Sequence, residues 1–141
     1  MIMLVPWLLS APAVPPPPVT FTADQCRYGQ AMRMATCKGK VQVRRGDAHL
    51  KCKELTVTFD DKGEISRLSC IGAVRFTRNV EKATGERADY ERDQARVTLR
   101  GQAQLTRGLA KLAGERVIFL LDKDEVIVEG RAQGQWRETS P

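Results

Sequence analysis

The sequence feature that most limits the fold is a unit of about 29 residues that recurs along the chain. In each copy, a glycine occupies the same place in a run of alternating apolar residues. These glycines are Gly39, Gly72, Gly101 and Gly130, spaced by 33, 29 and 29 residues. A repeat of this length is typical of a supersecondary unit that cannot bury its apolar face alone and therefore stacks on its neighbours.

A second set of positions is interleaved with the glycines and repeats in step with them. Its segments begin at Ala23, Cys52, Gly85 and Gly114. In each set, the interval that spans the stretch from Cys52 to Gly72 is four residues longer than the other intervals. This places one insertion at the turn formed by residues 60–63. Because two independent registers agree on a single insertion, the repeat is structural rather than accidental.

Within each repeat the apolar residues recur at every second position, as at Leu55, Val57 and Phe59. This is the period of a half-buried strand, and the helical period is absent. Turn-forming residues separate the apolar runs, for example at residues 44–47 and 122–124. The pattern predicts about eight long strands, with no helix longer than a turn or two after the N-terminal segment.

A glycine inside a strand usually marks a bend or a bulge. Each long strand can therefore pass from one sheet to a facing sheet at its repeat glycine. The sequence thus predicts an all-β fold, a bent two-sheet β-jellyroll built from stacked repeats of about 29 residues. Stacked repeats of this kind leave open strand edges at both ends.

The N-terminal segment has the pattern of a secretory signal. Residues 1–13 carry no charge, and they combine an apolar run with an Ala-x-Ala sequence that ends at Ala13. No Lys or Arg precedes the apolar run, which leaves open a start upstream of Met1. We predict a signal peptide over 1–13, a Pro-rich linker over 14–18, the folded domain over 19–137 and a tail over 138–141. The alternative is an uncleaved tail on a cytosolic protein.

The composition narrows the classes of function. The net charge is +6, which favours anionic partners. His49 is the only histidine, no nucleophile stands beside a base, and no phosphate loop or zinc spacing occurs. Aromatic residues fall on the alternating inward face and so offer no stacking platform for bases. We therefore expect no enzyme, no cofactor, no metal and no nucleic-acid partner.

Four cysteines, Cys26, Cys37, Cys52 and Cys70, lie in the first half of the domain. An even number behind an export signal predicts two disulfides. The repeat registers place Cys26 opposite Cys37 across a hairpin, as they place Ala88 opposite Leu99 in a later repeat, and facing residues suit a disulfide. We predict the pairs Cys26–Cys37 and Cys52–Cys70. The competing pairing joins Cys37 to Cys70 and Cys26 to Cys52.

Two segments of the repeat resemble a known family. Residues 83–90 read Ala-Thr-Gly-Glu-Arg-Ala-Asp-Tyr, and residues 112–119 read Leu-Ala-Gly-Glu-Arg-Val-Ile-Phe. Together with the glycine pattern they resemble the LptA/OstA family of periplasmic lipopolysaccharide-transport proteins, over residues 19–136. The resemblance implies a bent β-jellyroll in the periplasm with a hydrophobic groove for the acyl chains of lipopolysaccharide or lipid A. It also implies edge-strand pairing with LptC-like and LptD-like components, or head-to-tail with further copies.

The inward-facing apolar residues are the predicted groove. They are Val41, Val43, Leu50, Leu55, Val57, Phe59, Leu68, Val74, Phe76, Tyr90, Val97, Leu99, Leu105, Val117, Phe119, Val126 and Val128. Basic residues at corresponding strand ends are the predicted phosphate-facing rim, since Arg pairs well with phosphate. They are Arg44, Arg45, Arg75, Arg78, Lys82, Arg107 and Lys111.

Both sets also have an ordinary structural interpretation. Apolar strand faces form the core of every β-sandwich, and charged strand ends deter aggregation at sheet edges. The second functional hypothesis is therefore a structural β-repeat scaffold or filament-forming envelope protein. A scaffold should be packed solid, whereas a carrier must open to admit acyl chains.

Overall fold

The computed structural model describes residues 17–137, which form ten strands and no helix. The strands are β1 (Val19–Thr22), β2 (Gln25–Gly29), β3 (Met34–Arg45), β4 (Ala48–Phe59), β5 (Ile65–Arg78), β6 (Glu81–Glu91), β7 (Arg96–Arg107), β8 (Ala110–Leu120), β9 (Glu125–Glu129) and β10 (Gln133–Trp136). The predicted signal segment 1–13, residues 14–16 of the linker and the tail 138–141 lie outside the described residues. The predicted all-β class is confirmed for the domain.

All strand pairs are antiparallel, and they form one sheet in the order β1-β3-β4-β5-β6-β7-β8-β10. β1 and β2 pair with the two halves of β3, and β9 and β10 pair with the two halves of β8. The eight predicted long strands are thus recognisable, with the first and the last each broken into two short strands at the bend.

The pairing register shifts near the middle of the long strands, next to the repeat glycines. This shift divides the sheet into two arms. We call residues 19–22, 41–52, 74–85, 103–114 and 133–136 the β1 arm, and residues 25–38, 54–71, 87–100 and 116–129 the β2 arm. The predicted facing sheets are these two arms, which remain one continuous sheet because the hydrogen-bond ladder resumes beyond each bulge.

The bend requires glycine because the backbone there has a positive φ and because the neighbouring strand leaves no room for a Cβ atom. Gly101 has φ of +81°, and a Cβ atom there would lie 2.6 Å from Cβ of Glu86 on the neighbouring strand. Gly39 meets Asp24 in the same way. Asp24 and Glu86 each hold the second position of the interleaved repeat set. The repeat glycines and the interleaved set of positions therefore lie next to each other on neighbouring strands, at the same recurring bend.

The arms fold toward each other and enclose the apolar core. Phe76 of the β1 arm packs on Phe119 of the β2 arm, with ring centroids 4.4 Å apart. Leu55 and Leu99 are fully buried in the same cluster. Burial of each such side chain contributes about 1.5–3 kcal/mol, so closure of the two arms is strongly favoured in water.

Candidate functional site

The interior between the arms is apolar from one end of the sheet to the other. The predicted groove residues all lie on this side of their strands, most of them buried, with Phe59, Val126 and Val128 partly buried against the same cluster. The sequence prediction omitted the small residues between them, although these follow the same alternation. They include Ala35, Ala48, Ala83, Ala88 and Ala103. A continuous apolar interior of this kind suits hydrocarbon.

The core between the arms is closely packed, and a wider space of 780 Å³ opens at its edge, between Val19 and Arg45 of the β1 arm and Ile65 and Tyr90 of the β2 arm. A cavity of 20 Å³ lies between Phe76 on the β1 arm and Leu68, Tyr90 and Val97 on the β2 arm. This volume is enough for about one water molecule. An acyl chain can therefore pass from the open edge into the core only if the two arms separate.

The arms meet at a mouth, which we define as turns 46–47 and 79–80 of the β1 arm and turn 121–124 of the β2 arm. Arg78 crosses this mouth, and its Nη2 donates a hydrogen bond to the carbonyl of Leu121 at 2.9 Å. Its guanidinium also lies 3.4 Å from a carboxylate oxygen of Asp47 and 3.4 Å from one of Asp124. The Arg78 side chain is only 12% exposed, so water screens these attractions less than on an open surface.

A second ion pair crosses the mouth, between Arg45 of the β1 arm and Asp122 of the β2 arm at 3.4 Å. Arg45 and Leu121 also border the small interior cavity. The sequence indicated only a turn at residues 122–124. Nothing local in that turn showed that its carboxylates would meet basic residues more than forty positions away.

The structure divides the predicted basic rim between three places. Arg45 and Arg78 lie at the mouth, and Arg107 lies at the β7–β8 turn, 3.8 Å from Glu81. The others point outward from the β1 arm, on the side of the sheet opposite the apolar interior. They are Arg44, Arg75, Lys82 and Lys111. Of the predicted basic rim, only Arg45 and Arg78 therefore border the mouth.

The predicted disulfide between Cys26 and Cys37 is confirmed. The two residues face each other in the register of β2 and β3, and their sulfur atoms are bonded. This bond ties the edge strand β2 to the body of the sheet. It also excludes the competing pairing of Cys37 with Cys70.

The predicted disulfide between Cys52 and Cys70 is absent, and both residues are buried free thiols. Unlike Cys26 and Cys37, these two are not a facing pair, although their thiols lie close enough to form a hydrogen bond. Cys70 faces Leu55, whereas Cys52 lies before the register shift and its Sγ donates to the carbonyl of Glu54 at 3.1 Å. A hydrogen bond with Cys52 and burial raise the pKa of the Cys70 thiol, so this group stays protonated and weakly nucleophilic.

We expect Cys52 and Cys70 to resist alkylation in the folded protein, because both are buried. Intact-protein mass spectrometry after N-ethylmaleimide treatment should show no added label under native conditions and labels on both thiols in guanidinium. Prior reduction is the control, since it should add labels at Cys26 and Cys37 as well. A denatured, unreduced protein that takes no label would show that a second disulfide had formed.

An open antiparallel jellyroll, bent at repeated glycines around an apolar interior, defines the class of this protein. A family model described as "LptA/(LptD N-terminal domain) LPS transport protein" matches residues 20–125, and the chain belongs to this family.

Similar solved structures agree with this class. One is "LptH, the LptA homologous periplasmic component of the conserved lipopolysaccharide transport device from Pseudomonas aeruginosa", with a TM-score of 0.76 and 18% identity. The match covers 86% of this chain and 96% of that one. At this identity the likeness shows the fold. No curated protein sequence matches the chain. Between residues 17 and 137, no helix has the length and apolarity to cross a membrane.

Proposed function

We propose that the chain is a periplasmic carrier that binds lipopolysaccharide and shields the acyl chains of lipid A between its two arms. The observation that carries this proposal is the uninterrupted apolar interior, which extends along the stacked repeats from β3 to β8. Hydrocarbon placed there leaves water much as a core side chain does, at about 0.8 kcal/mol for each CH₂ group. Membership of a lipopolysaccharide-transport family supports the same assignment.

Entry of acyl chains requires the mouth to open. The polar ties across it are the contacts of Arg45 and Arg78 with the turn 121–124. Nε and Nη1 of Arg78 are buried without a hydrogen-bond partner. A phosphate group of lipid A can supply the missing acceptors as it replaces the carboxylates, because guanidinium groups bind phosphate through paired hydrogen bonds.

The sheet edges suit partners that add strands. β2 and β1 form one edge and β9 and β10 the other, and the described structure pairs none of them on the outer side. Edge strands of this kind accept a further strand through free backbone N–H and C=O groups. We propose LptC-like and LptD-like components, or a further copy of the chain, as these partners. The Cys26–Cys37 disulfide supports an oxidising compartment such as the periplasm.

The alternative is a structural scaffold built by the same edge pairing. The core between the arms is closely packed, with a cavity of 20 Å³. This packing favours a scaffold over a carrier whose groove is already open. A scaffold would keep its arms closed at all times. The two functions therefore differ in whether lipid reaches the interior.

Photo-crosslinking from inside the fold tests the proposal. A photoreactive amino acid at Leu55, Phe76 or Leu99 is expected to capture lipid A, because these buried side chains line the space between the arms. The same residue at Thr36 or Arg67, exposed on the outside of the β2 arm, serves as the control and should capture little. Lipid captured at the outer positions alone would contradict the carrier function.

A further inference from the structure

The outer face of the β1 arm carries an uncompensated positive charge. Its outward residues alternate with the buried core positions on the same strands. The basic ones are Arg44, Lys51, Arg75, Lys82 and Lys111, all exposed. The other outward positions that the structure describes on this arm hold Thr, Gln, Ala and His49, with no Asp or Glu among them. None of the five basic residues belongs to an ion pair within residues 17–137.

The β2 arm provides an internal comparison, because its outer face is also rich in arginine. There carboxylates lie among the basic residues, and three of the arginines pair with them. The outward pairs are Arg87 with Asp89 at 3.0 Å, Arg96 with Glu91 at 3.0 Å and Arg116 with Glu129 at 2.7 Å. Within residues 17–137, Arg67 and Arg100 of this face belong to no ion pair, so the β2 arm is only partly neutralised, whereas the described outward positions of the β1 arm hold no carboxylate at all.

This charge does not serve the fold. Lys51 and Arg75 lie directly opposite each other on β4 and β5, and like charges in facing positions destabilise a sheet. The positive field also acts on His49, whose pKa is lowered by burial and then by Arg44 and Lys51. A surface that costs stability in the isolated protein is expected to meet an anionic partner.

The tip of the same arm exposes apolar side chains. Val80 in the β5–β6 turn is 69% exposed, and Leu109 in the β7–β8 turn is 47% exposed. These turns are neighbours, since Glu81 pairs with Arg107. Trp136 at the end of β10 is 72% exposed and pairs with Ala110, next to Leu109. Trp136 lies on the inner side of the sheet, as Ala110 does, so the two turn residues are the apolar groups beside the basic face. Exposed aliphatic residues beside basic groups are a combination that enters the interface of a bilayer.

We infer that the β1 arm docks on an anionic phospholipid bilayer, with its outer basic face toward the head groups and the exposed turn residues Val80 and Leu109 at the interface. The basic face lies on the opposite side of the sheet from the apolar interior. The basic face is therefore separate from the proposed lipid-carrying interior, whereas Val80 belongs to one of the turns that form the mouth. Docking through one arm leaves the other arm free to move away from it at the mouth.

Vesicle co-sedimentation tests the inference. The full chain is expected to bind vesicles made of equal parts phosphatidylglycerol and phosphatidylcholine, which contain no lipopolysaccharide, and not to bind pure phosphatidylcholine. Binding should weaken strongly between about 0.1 M and about 1 M NaCl, because the Debye length falls from about 10 Å to about 3 Å. Equal binding to both kinds of vesicle would overturn the electrostatic docking.

A matched pair of triple variants locates the surface. K51Q/R75Q/K82Q removes three charges from the β1 arm and should weaken binding to the anionic vesicles on the order of 100-fold, at about fivefold for each basic residue. K38Q/R67Q/R100Q removes three exposed charges from the β2 arm and should bind nearly as well as the wild type. The first variant should keep its melting temperature or gain slightly, since it relieves the Lys51–Arg75 repulsion. Equal losses in both variants would overturn the inference.

Insertion of the tip of the β1 arm into the bilayer can be measured separately, by tryptophan fluorescence. In a W7F/W136F background, the indole introduced by L109W is expected to shift its emission to shorter wavelength on anionic vesicles, because it leaves water for the interface. An unchanged emission spectrum on vesicles that do bind the protein would overturn the inserted tip. Retained capture of lipid A by K51Q/R75Q/K82Q would show that this surface and the interior act separately.

Discussion

Joining the two arms covalently across the mouth is expected to abolish lipid A binding. In an R45C/D122C variant, a short bismaleimide can link the two positions, whose native side chains approach to 3.4 Å. The linked protein cannot separate its arms at the mouth, and the 20 Å³ cavity leaves no room for an acyl chain within the core. Binding of a fluorescent lipid A analogue before and after linkage measures the effect. Cys52 and Cys70 are buried and should not react.

The design contains two controls. The unlinked R45C/D122C variant should bind at least as well as the wild type, because it has lost one of the ties across the mouth. A T58C/R67C variant places a link between facing residues within the β2 arm and should leave binding unchanged. If the protein linked at the mouth still binds, acyl chains do not enter between the arms and the proposed function fails.

Phe119→Ala is expected to lower the free energy of unfolding by about 3–5 kcal/mol, because it opens a cavity at the contact between the arms. Phe119 is fully buried and packs against Phe76. In a domain of this size the loss should reduce the melting temperature on the order of 10 °C. Urea and thermal unfolding followed by circular dichroism measure both quantities.

Leu109→Ala is the matched control, since Leu109 is an exposed turn residue and its truncation should change stability by less than about 0.5 kcal/mol. Similar, small losses in both variants would mean that the arms are not packed together in solution. That result would favour a preformed open groove over one that opens on binding.

Much of the fold could be predicted because its signals are local. The strand period, the turn residues and the repeat glycines are each recognised over a few positions. The same patterns recur in every repeat, which makes the prediction of strands and bends more secure. The pairing of Cys26 with Cys37 followed for the same reason, since hairpin register is determined by the turn. The pairing of Cys52 with Cys70 was wrong, although the repeat registers did place the two residues near each other: the bulge in β4 keeps them from facing across the ladder, and their thiols meet through a hydrogen bond.

Some features of the candidate site could likewise be predicted from the sequence, and others could not. The sequence by itself determined which side chains face the interior, because a strand with one buried face allows a single alternation. Only the tertiary structure decided how tightly the arms close and that Arg45 and Arg78 meet Asp122 and Asp124 across the mouth. Those facts depend on the angle of the bend and on contacts between distant turns. They are through-space properties of the folded sheet, and no local pattern of residues specifies them.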